Sequence, residues 1–296
     1  MSKSETGAQL LARLGGRPTL QGLEEDLFNK DGPKGGDVFE FYGEEGVGKT
    51  ELFLHFVTKV ILPQNWNHFE IGGFGGKIIY IDTDYKFSVL RLAKILNNRI
   101  RVIVNGVTMA TDKKQDFKKA TEEDIDSFVK NCLQNVKLVR CSSSHQLICT
   151  LHSLENQVCE CPEIGLIMLD SISTFYWIDK ASNMLDYYVN QIKYILNKLV
   201  TDYNLVLFIT KAALVKKKTK DLSRVENSFD MGDKSSKSED MYQYAEFLGN
   251  TWHNFIQKRF IMIKEVSQNQ SKLSLHCKQS KLTKTFTISD NGVQFS

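Results

Sequence analysis

The sequence lacks several features that would place it in a special class of protein. It contains 4 prolines among 296 residues, too few for a proline-rich or low-complexity chain. No apolar run reaches the roughly 18 residues of a membrane-spanning helix, and the first residues carry no signal-peptide pattern. We therefore expect a globular protein of the cytoplasm or nucleus, with no membrane partner.

An excess of one charge and a disulfide framework are also missing. The 38 basic and 35 acidic residues leave a net charge of +3, so the protein as a whole has no strong positive field. Any contact with nucleic acid must be local or shared with a partner. The 6 cysteines are scattered along the chain, which indicates free thiols in a reducing compartment.

Compact runs rich in valine, isoleucine and leucine alternate with helical patterns along most of the chain. Five of these runs predict buried strands: Val38 to Tyr42, Ile78 to Asp82, Val136 to Arg140, Ile164 to Asp170 and Leu205 to Thr210. Amphipathic helices are predicted between them, one behind an N-cap at Thr121. This alternation predicts an α/β fold with a mostly parallel, doubly wound sheet.

Residues 1–36 are a lead segment that is too short for a separate N-terminal domain, and residues 37–296 are expected to form the core. Within the core, the apolar pattern stops over residues 211–240, which predicts a mobile loop. Three later runs predict a C-terminal β extension at one edge of the sheet: Arg259 to Glu265, Lys272 to Gln279 and Lys284 to Ser289.

The clearest motif follows the first predicted strand and fits the pattern G-x-x-x-x-G-K-[ST] at every required position. Glycines let the backbone curl so that successive N–H groups point at phosphates, and the following helix adds its positive end. In this pattern the lysine reaches the β- and γ-phosphates and the threonine hydroxyl binds Mg²⁺. The predicted nucleotide-binding residues are Gly43, Glu44, Glu45, Gly46, Val47, Gly48, Lys49 and Thr50.

Acidic residues end two of the predicted strands. Asp170 closes a buried strand and would help Thr50 to hold Mg²⁺. Asp84 lies just beyond the strand that ends at Asp82 and is a candidate to polarise the water that attacks the γ-phosphate. Asp82 and Asp84 share a side of an extended strand, so a turn at Thr83 is needed to aim them differently. The alternative is that either acid only caps the next helix.

A lysine run lies in the predicted loop, at Lys216, Lys217, Lys218 and Lys220. These residues either form a solvated segment or contact the phosphates of DNA. No aromatic residue is interleaved with them to stack on bases, so base reading is not expected.

Several motifs together resemble the RecA-type recombinases of eukaryotes and archaea, and in particular their eukaryotic paralogues. The resemblance covers most of residues 37–290 and implies a RecA-like P-loop core that binds ATP and Mg²⁺ and acts in homologous recombination in the nucleus. It also implies that the lysine run stands where the family has a DNA-contacting loop. The motifs are Gly43 to Thr50, Tyr80-Ile81-Asp82-Thr83-Asp84, Leu169-Asp170-Ser171, and Leu248-Gly249-x-x-Trp252 with Arg259.

The sequence departs from the family pattern in two places. Asp84 stands where the recombinases have a glutamate, which reaches one methylene further. Lys211 and Ala212 stand where they have an Asn-Gln pair whose glutamine senses the γ-phosphate. An alanine side chain cannot hydrogen-bond a phosphate, so the usual coupling between ATP and DNA is expected to be broken. Whether the charge of Lys211 replaces the sensor is left open.

These features favour an accessory subunit that works with other recombinase paralogues in a hetero-oligomer and helps to load the recombinase on single-stranded DNA. The lead segment is short compared with the family's linker, so we expect an end-cap rather than a homopolymeric filament. A competent DNA-stimulated ATPase with Asp84 as base is the first alternative. An unrelated P-loop kinase is the second, and it would need an arginine-rich lid, whereas residues 101–120 and 211–240 hold only Arg101 and Arg224.

Overall fold

The computed structural model describes residues 6–110, 120–214, 244–267 and 270–296. Nine strands of this part form one sheet, and two short strands form a separate hairpin. The hairpin strands are β2 (Asn65–Trp66) and β3 (Phe69–Glu70). The sheet strands are β1 (Val38–Gly43), β4 (Lys77–Asp82), β5 (Val136–Arg140), β6 (Ile164–Asp170), β7 (Val206–Ala212), β8 (Lys258–Ser267), β9 (Gln270–Cys277), β10 (Leu282–Ser289) and β11 (Gly292–Phe295).

Helices cover both faces of this sheet. They are α1 (Gly7–Leu14), α2 (Glu25–Phe28), α3 (Lys49–Ile61), α4 (Val89–Ala110), α5 (Glu122–Leu133), α6 (Ser144–Glu160), α7 (Tyr176–Ala181), α8 (Leu185–Asp202) and α9 (Asn250–His253). Helix α5 begins with the capping box expected at Thr121, whose side chain accepts from the backbone N–H of Asp124. No helix among these ranges is long and apolar enough to cross a membrane.

The sheet has the order β11-β10-β9-β8-β1-β7-β6-β4-β5. The six strands from β8 to β5 run parallel to their neighbours, and β9, β10 and β11 add to them antiparallel. The predicted α/β fold with a C-terminal β extension is therefore confirmed. The extension has one strand more than predicted, because β11 follows the turn after Ser289.

Strand β7 continues two residues beyond its predicted end. Lys211 and Ala212 pair with Tyr42 and Gly43 of β1, so they belong to the sheet rather than to the segment expected to be a mobile loop. Ala213 and Leu214 follow the strand, and residues 215–240 of that segment lie outside the described residues.

The lead segment packs into the core from Arg17 onwards. The Phe28 ring lies 5.0 Å from that of Phe39 and 5.5 Å from that of Phe208. The guanidinium of Arg17 donates to the backbone carbonyls of Tyr203, Cys161 and Val158 on the opposite layer. Residue 36 therefore does not mark a break in packing, and the aromatic core that supports the first helix after β1 includes part of the lead segment.

Candidate nucleotide-binding site

An open cleft of about 840 Å³ lies at the carboxyl end of the central parallel strands. This is where open α/β sheets bind their ligands. The loop between β1 and α3, the ends of β6 and β7, and one residue of β10 contribute to it. Its lining residues are Glu45, Gly46, Gly48, Lys49, Thr50, Glu51, Asp84, Lys86, Asp170, Ser173, Trp177, Ala212, Ala213, Leu214 and Ile288.

The loop after β1 has the backbone that the glycine pattern predicts. Gly46 and Gly48 have φ angles of 79° and 88°, in the left-handed region that side chains rarely adopt. A Cβ atom on Gly48 would also lie 2.7 Å from Cδ1 of Ile288, so strand β10 closes over this end of the loop. Phosphate contact by backbone N–H groups requires a loop that is curled in this way.

Lys49 bends back over this loop. Its ammonium donates to the carbonyl oxygens of Gly43 at 2.8 Å and Glu44 at 2.7 Å. Burial lowers the pKa of Lys49 to about 8, because the charged form loses solvation there. These carbonyl oxygens are uncharged acceptors. The oxygens of an incoming phosphate are negatively charged and would form stronger hydrogen bonds with the ammonium.

Thr50 and Asp170 lie together on the floor of the cleft. The Thr50 hydroxyl donates to Oδ2 of Asp170 at 2.8 Å, and Asp170 is 2% exposed. Hydroxyl and carboxylate oxygens are the hard ligands that Mg²⁺ prefers, so these residues fit the ion that the motif implies.

Two further hydroxyl groups hold the Asp170 carboxylate. Tyr80 donates to Oδ2 at 2.8 Å, and Thr210 donates to Oδ1. Burial and the neighbouring Asp170 raise the pKa of Tyr80 well above its usual value, so it remains a donor. Neither residue was predicted from the sequence to belong to the site. Only the register of β4 and β7 beside β6 shows that both reach Asp170, and a single sequence does not give that register.

The acids around Thr83 are separated by a bend. Asp82 is fully buried and accepts from the backbone N–H groups of Lys86 at 3.1 Å and Phe87 at 3.3 Å. Asp82 therefore caps the turn before α4, whereas Asp84 lines the cleft. The Asp84 carboxylate accepts from the Thr174 hydroxyl and lies 3.5 Å from the ammonium of Lys86.

Lys86 is a cleft cation that the sequence analysis did not single out. Its ammonium lies 2.8 Å from the carboxylate of Glu45 as well as 3.5 Å from Asp84. The two acids raise the pKa of Lys86, with the hydrogen bond to Glu45 as the largest cause, and burial opposes them. This cation therefore stays charged at the mouth of the cleft.

Lys211 points away from the nucleotide cleft. Its ammonium is fully buried and lies 2.9 Å from both the Tyr244 hydroxyl and a Glu246 carboxylate oxygen. It also lies 4.3 Å from the centre of the Phe247 ring. Ala212 faces the cleft and contributes only a backbone N–H, which donates to Ser173 Oγ at 2.8 Å. Of the two residues that replace the family's Asn-Gln pair, Lys211 therefore lies in a buried cluster and Ala212 lies in the cleft.

The motif at residues 248–259 belongs to the same buried cluster as Lys211. Glu40 of β1 accepts from the indole N–H of Trp252 at 2.8 Å and from Nε of Arg259. The Arg259 guanidinium stacks 3.9 Å from the centre of the Tyr244 ring. These contacts hold residues 244–248 against the sheet. Lys216, Lys217, Lys218 and Lys220 lie outside the described residues.

Comparison with known proteins gives one consistent family. A family profile described as an AAA domain matches residues 32–211. The chain is 36% identical over 306 residues to the DNA repair protein XRCC2 of Mus musculus, covering 99% of this chain and 98% of that protein. It is 26% identical over 262 residues to the XRCC2 homolog of Arabidopsis thaliana, covering 78% of this chain and 70% of that protein.

A more distant relative supports the wider family. The DNA repair and recombination protein RadA of Methanocorpusculum labreanum is 27% identical over 220 residues, which cover 71% of this chain and 60% of RadA. The residues matched by the family profile include the glycine loop and the strand that ends at Asp170. On this evidence the chain belongs to the RecA-type recombinase family, within its XRCC2-like group of DNA-repair paralogues.

Proposed function

We propose that this chain binds ATP with Mg²⁺ and acts in the nucleus as an accessory subunit of a recombinase-paralogue complex. In that complex it helps to load the recombinase on single-stranded DNA. The observation that carries the proposal is the difference between two halves of one cleft. The half that binds phosphate and metal is complete, whereas the half that would drive hydrolysis lacks a free base and a sensing side chain.

The binding half uses the glycine loop, Lys49, Thr50 and Asp170. The loop N–H groups and Lys49 would hold the phosphates, and the Thr50 hydroxyl would bind the metal directly. Asp170 already accepts from three hydroxyl groups, so we expect it to orient the metal's water ligands rather than to replace them. When bound, Mg²⁺ neutralises charge on the β- and γ-phosphates.

Two residues, Asp84 and Ala212, make the catalytic half of the cleft poorly suited to hydrolysis. Asp84 is one methylene shorter than the family's glutamate, and it is held by Thr174 and Lys86. A base must lie within hydrogen-bond reach of the attacking water, and these contacts restrain the carboxylate. Ala212 offers no side-chain acceptor or donor to a γ-phosphate. Both features support slow or absent hydrolysis.

Calorimetry with Lys49→Ala tests the binding half of the proposal. We expect the wild-type protein to bind ATP with Mg²⁺, and the variant to bind about 10 to 100 times more weakly, because a charge-assisted contact is lost. Lys34→Ala, at a lysine paired with Asp31 far from the cleft, is the matched control. Equal affinity in the Lys49→Ala and wild-type proteins would contradict the assignment of this site.

The alternative function is a DNA-stimulated ATPase. It is favoured by one observation, which is that Asp84 lines the cleft. Turnover measured with single-stranded DNA decides between the two functions. Rapid hydrolysis that Asp84→Asn abolishes would support the ATPase, whereas negligible hydrolysis in both proteins supports the accessory role. Family membership speaks against the P-loop kinase.

A further inference from the structure

A second cavity of about 410 Å³ lies between helices α3 and α4 and strand β11. It shares no lining residue with the nucleotide cleft. Its size falls within the range of small-molecule sites, and aliphatic side chains form much of its wall. These are Ile71, Ile95, Val102, Ile103 and Val293.

One buried carboxylate serves two of the basic residues that line this cavity. An oxygen of Glu24 lies 2.5 Å from Nε2 of His55 and 2.6 Å from the ammonium of Lys59. Burial lowers the pKa of His55, so the ring is neutral at neutral pH. The charge of Lys59 is therefore balanced by Glu24, and none of the described residues that line the cavity is a further acid.

Arg99 is that further cation. It lines the cavity from helix α4, and it has no hydrogen-bond or ion-pair partner among the residues that the structure describes. Burial lowers the pKa of Arg99, with only the longer-range attraction of Glu24 opposing the effect. Arg99 is partly exposed, so the five N–H donors of its guanidinium are accessible to an acceptor that enters the cavity.

We propose that this cavity binds a small organic anion, whose carboxylate or phosphate group pairs with Arg99. The planar guanidinium suits two parallel hydrogen bonds to such a group. The apolar stem of the ligand would lie against Ile95, Ile103 and Val293. A single negative charge on the ligand balances Arg99, and the aliphatic wall favours a ligand with an apolar stem over a bare inorganic ion.

Titrations with short-chain ligands, followed by NMR of methyl-labelled protein, test the site directly. Hexanoate and hexyl phosphate are the anionic probes, and hexanol is the neutral probe of the same chain length. We expect saturable shifts at the methyl groups of Ile95, Ile103 and Val293, with hexanol binding about tenfold more weakly. The stronger of the two anions identifies the acid group. The Ile288 methyl reports binding at the nucleotide cleft separately.

Variants of helix α4 show whether Arg99 supplies the preference for anions. Arg99→Met should bind hexanoate no better than hexanol, whereas Arg99→Lys, which keeps the charge without the planar fork, should retain part of the preference. Arg101→Met is the matched control, because Arg101 lies on the same helix and is half-exposed and paired with Glu122. The control should behave as the wild type.

Four results would overturn the proposal. They are equal binding of hexanol and hexanoate to the wild type, unchanged selectivity in Arg99→Met, inorganic phosphate binding as tightly as hexyl phosphate, and no saturable shift at the three methyl groups. Since Arg99→Met removes an unpartnered cation, its unfolding temperature should not fall below that of the wild type. A lower value would assign Arg99 to the stability of the fold instead.

Discussion

At the scale of single residues, the buried charges beside β1 and β7 are explained by the partners that they find. Lys211 is buried between Tyr244, Glu246 and an aromatic ring, and Glu40 is buried between Trp252 and Arg259. Isolated charges would be strongly disfavoured in such positions, but hydrogen-bonded pairs are tolerated. The position just before the family's sensor therefore carries a structural cation in this chain, and the sensor position itself carries Ala212.

Replacing Lys211 separates the structural and sensing roles. We expect Lys211→Met to lower the free energy of unfolding by on the order of 2 kcal/mol, because it leaves the partly buried Glu246 without its main cationic partner. ATP affinity should stay within about twofold of the wild type, since Lys211 does not line the cleft. Urea denaturation and calorimetry measure the two quantities, with exposed Lys137→Met as control. A large loss of ATP affinity would make Lys211 a phosphate contact.

Glu24 makes stability depend on pH. Burial favours its neutral form, but hydrogen bonds from His55 and Lys59 outweigh burial and lower the pKa of Glu24 from 4.5 to about 2. The folded state therefore binds the proton less tightly than the unfolded state does. The stabilisation, about 3 kcal/mol, is fully present above pH 4.5 and is lost as the pH falls towards 2.

Glu24→Gln tests this pH dependence. At pH 7 the free energy of unfolding of the wild type should exceed that of the variant by about 3 kcal/mol, and the gap should narrow between pH 4.5 and 2. Urea denaturation over that range gives the values. Glu25→Gln, at the exposed neighbouring position, should show no such trend. A gap that stays constant with pH would mean that packing, not charge, holds Glu24.

At the scale of elements, the two edges of the sheet differ. Strand β11 is covered on one side by helix α3 and anchored through the turn at Asp290, whose carbonyl accepts from Arg91 and Asn98. Strand β5 ends the opposite edge, and Leu138 in its middle is 36% exposed. No described strand pairs with the outer side of β5. Such an edge, with an accessible apolar side chain, is suited to strand addition by a partner.

A charge on β5 should therefore weaken assembly. We expect Leu138→Glu to reduce binding to a recombinase paralogue about tenfold or more, because a buried interface anchor is replaced by an acid. Co-purification and a binding titration of the purified pair measure the effect. Tyr194→Glu, at an exposed position of helix α8, is the control and should bind as the wild type. If Leu138→Glu binds normally, the partner uses another surface.

At the scale of the whole molecule, charge balance argues for action within a complex. A net charge of +3 spread over 73 charged residues gives little attraction for a polyanion at a distance. We expect the purified protein with ATP and single-stranded DNA to form no regular filaments in electron micrographs. Addition of a recombinase paralogue should increase DNA binding. Homopolymeric filaments of this chain alone would require its function to be reassigned to strand exchange.

The α/β class, the phosphate loop and the acid that ends β6 can be predicted from the sequence, because they depend on local patterns: strand period, glycine backbone freedom and a strand-end carboxylate. Features that depend on register and burial follow only from the packing of the folded chain. The pairing of β4, β6 and β7 brings Tyr80 and Thr210 to Asp170. The packing of residues 244–248 turns Lys211 away from the cleft. These contacts join residues far apart in the chain, so no local pattern could reveal them.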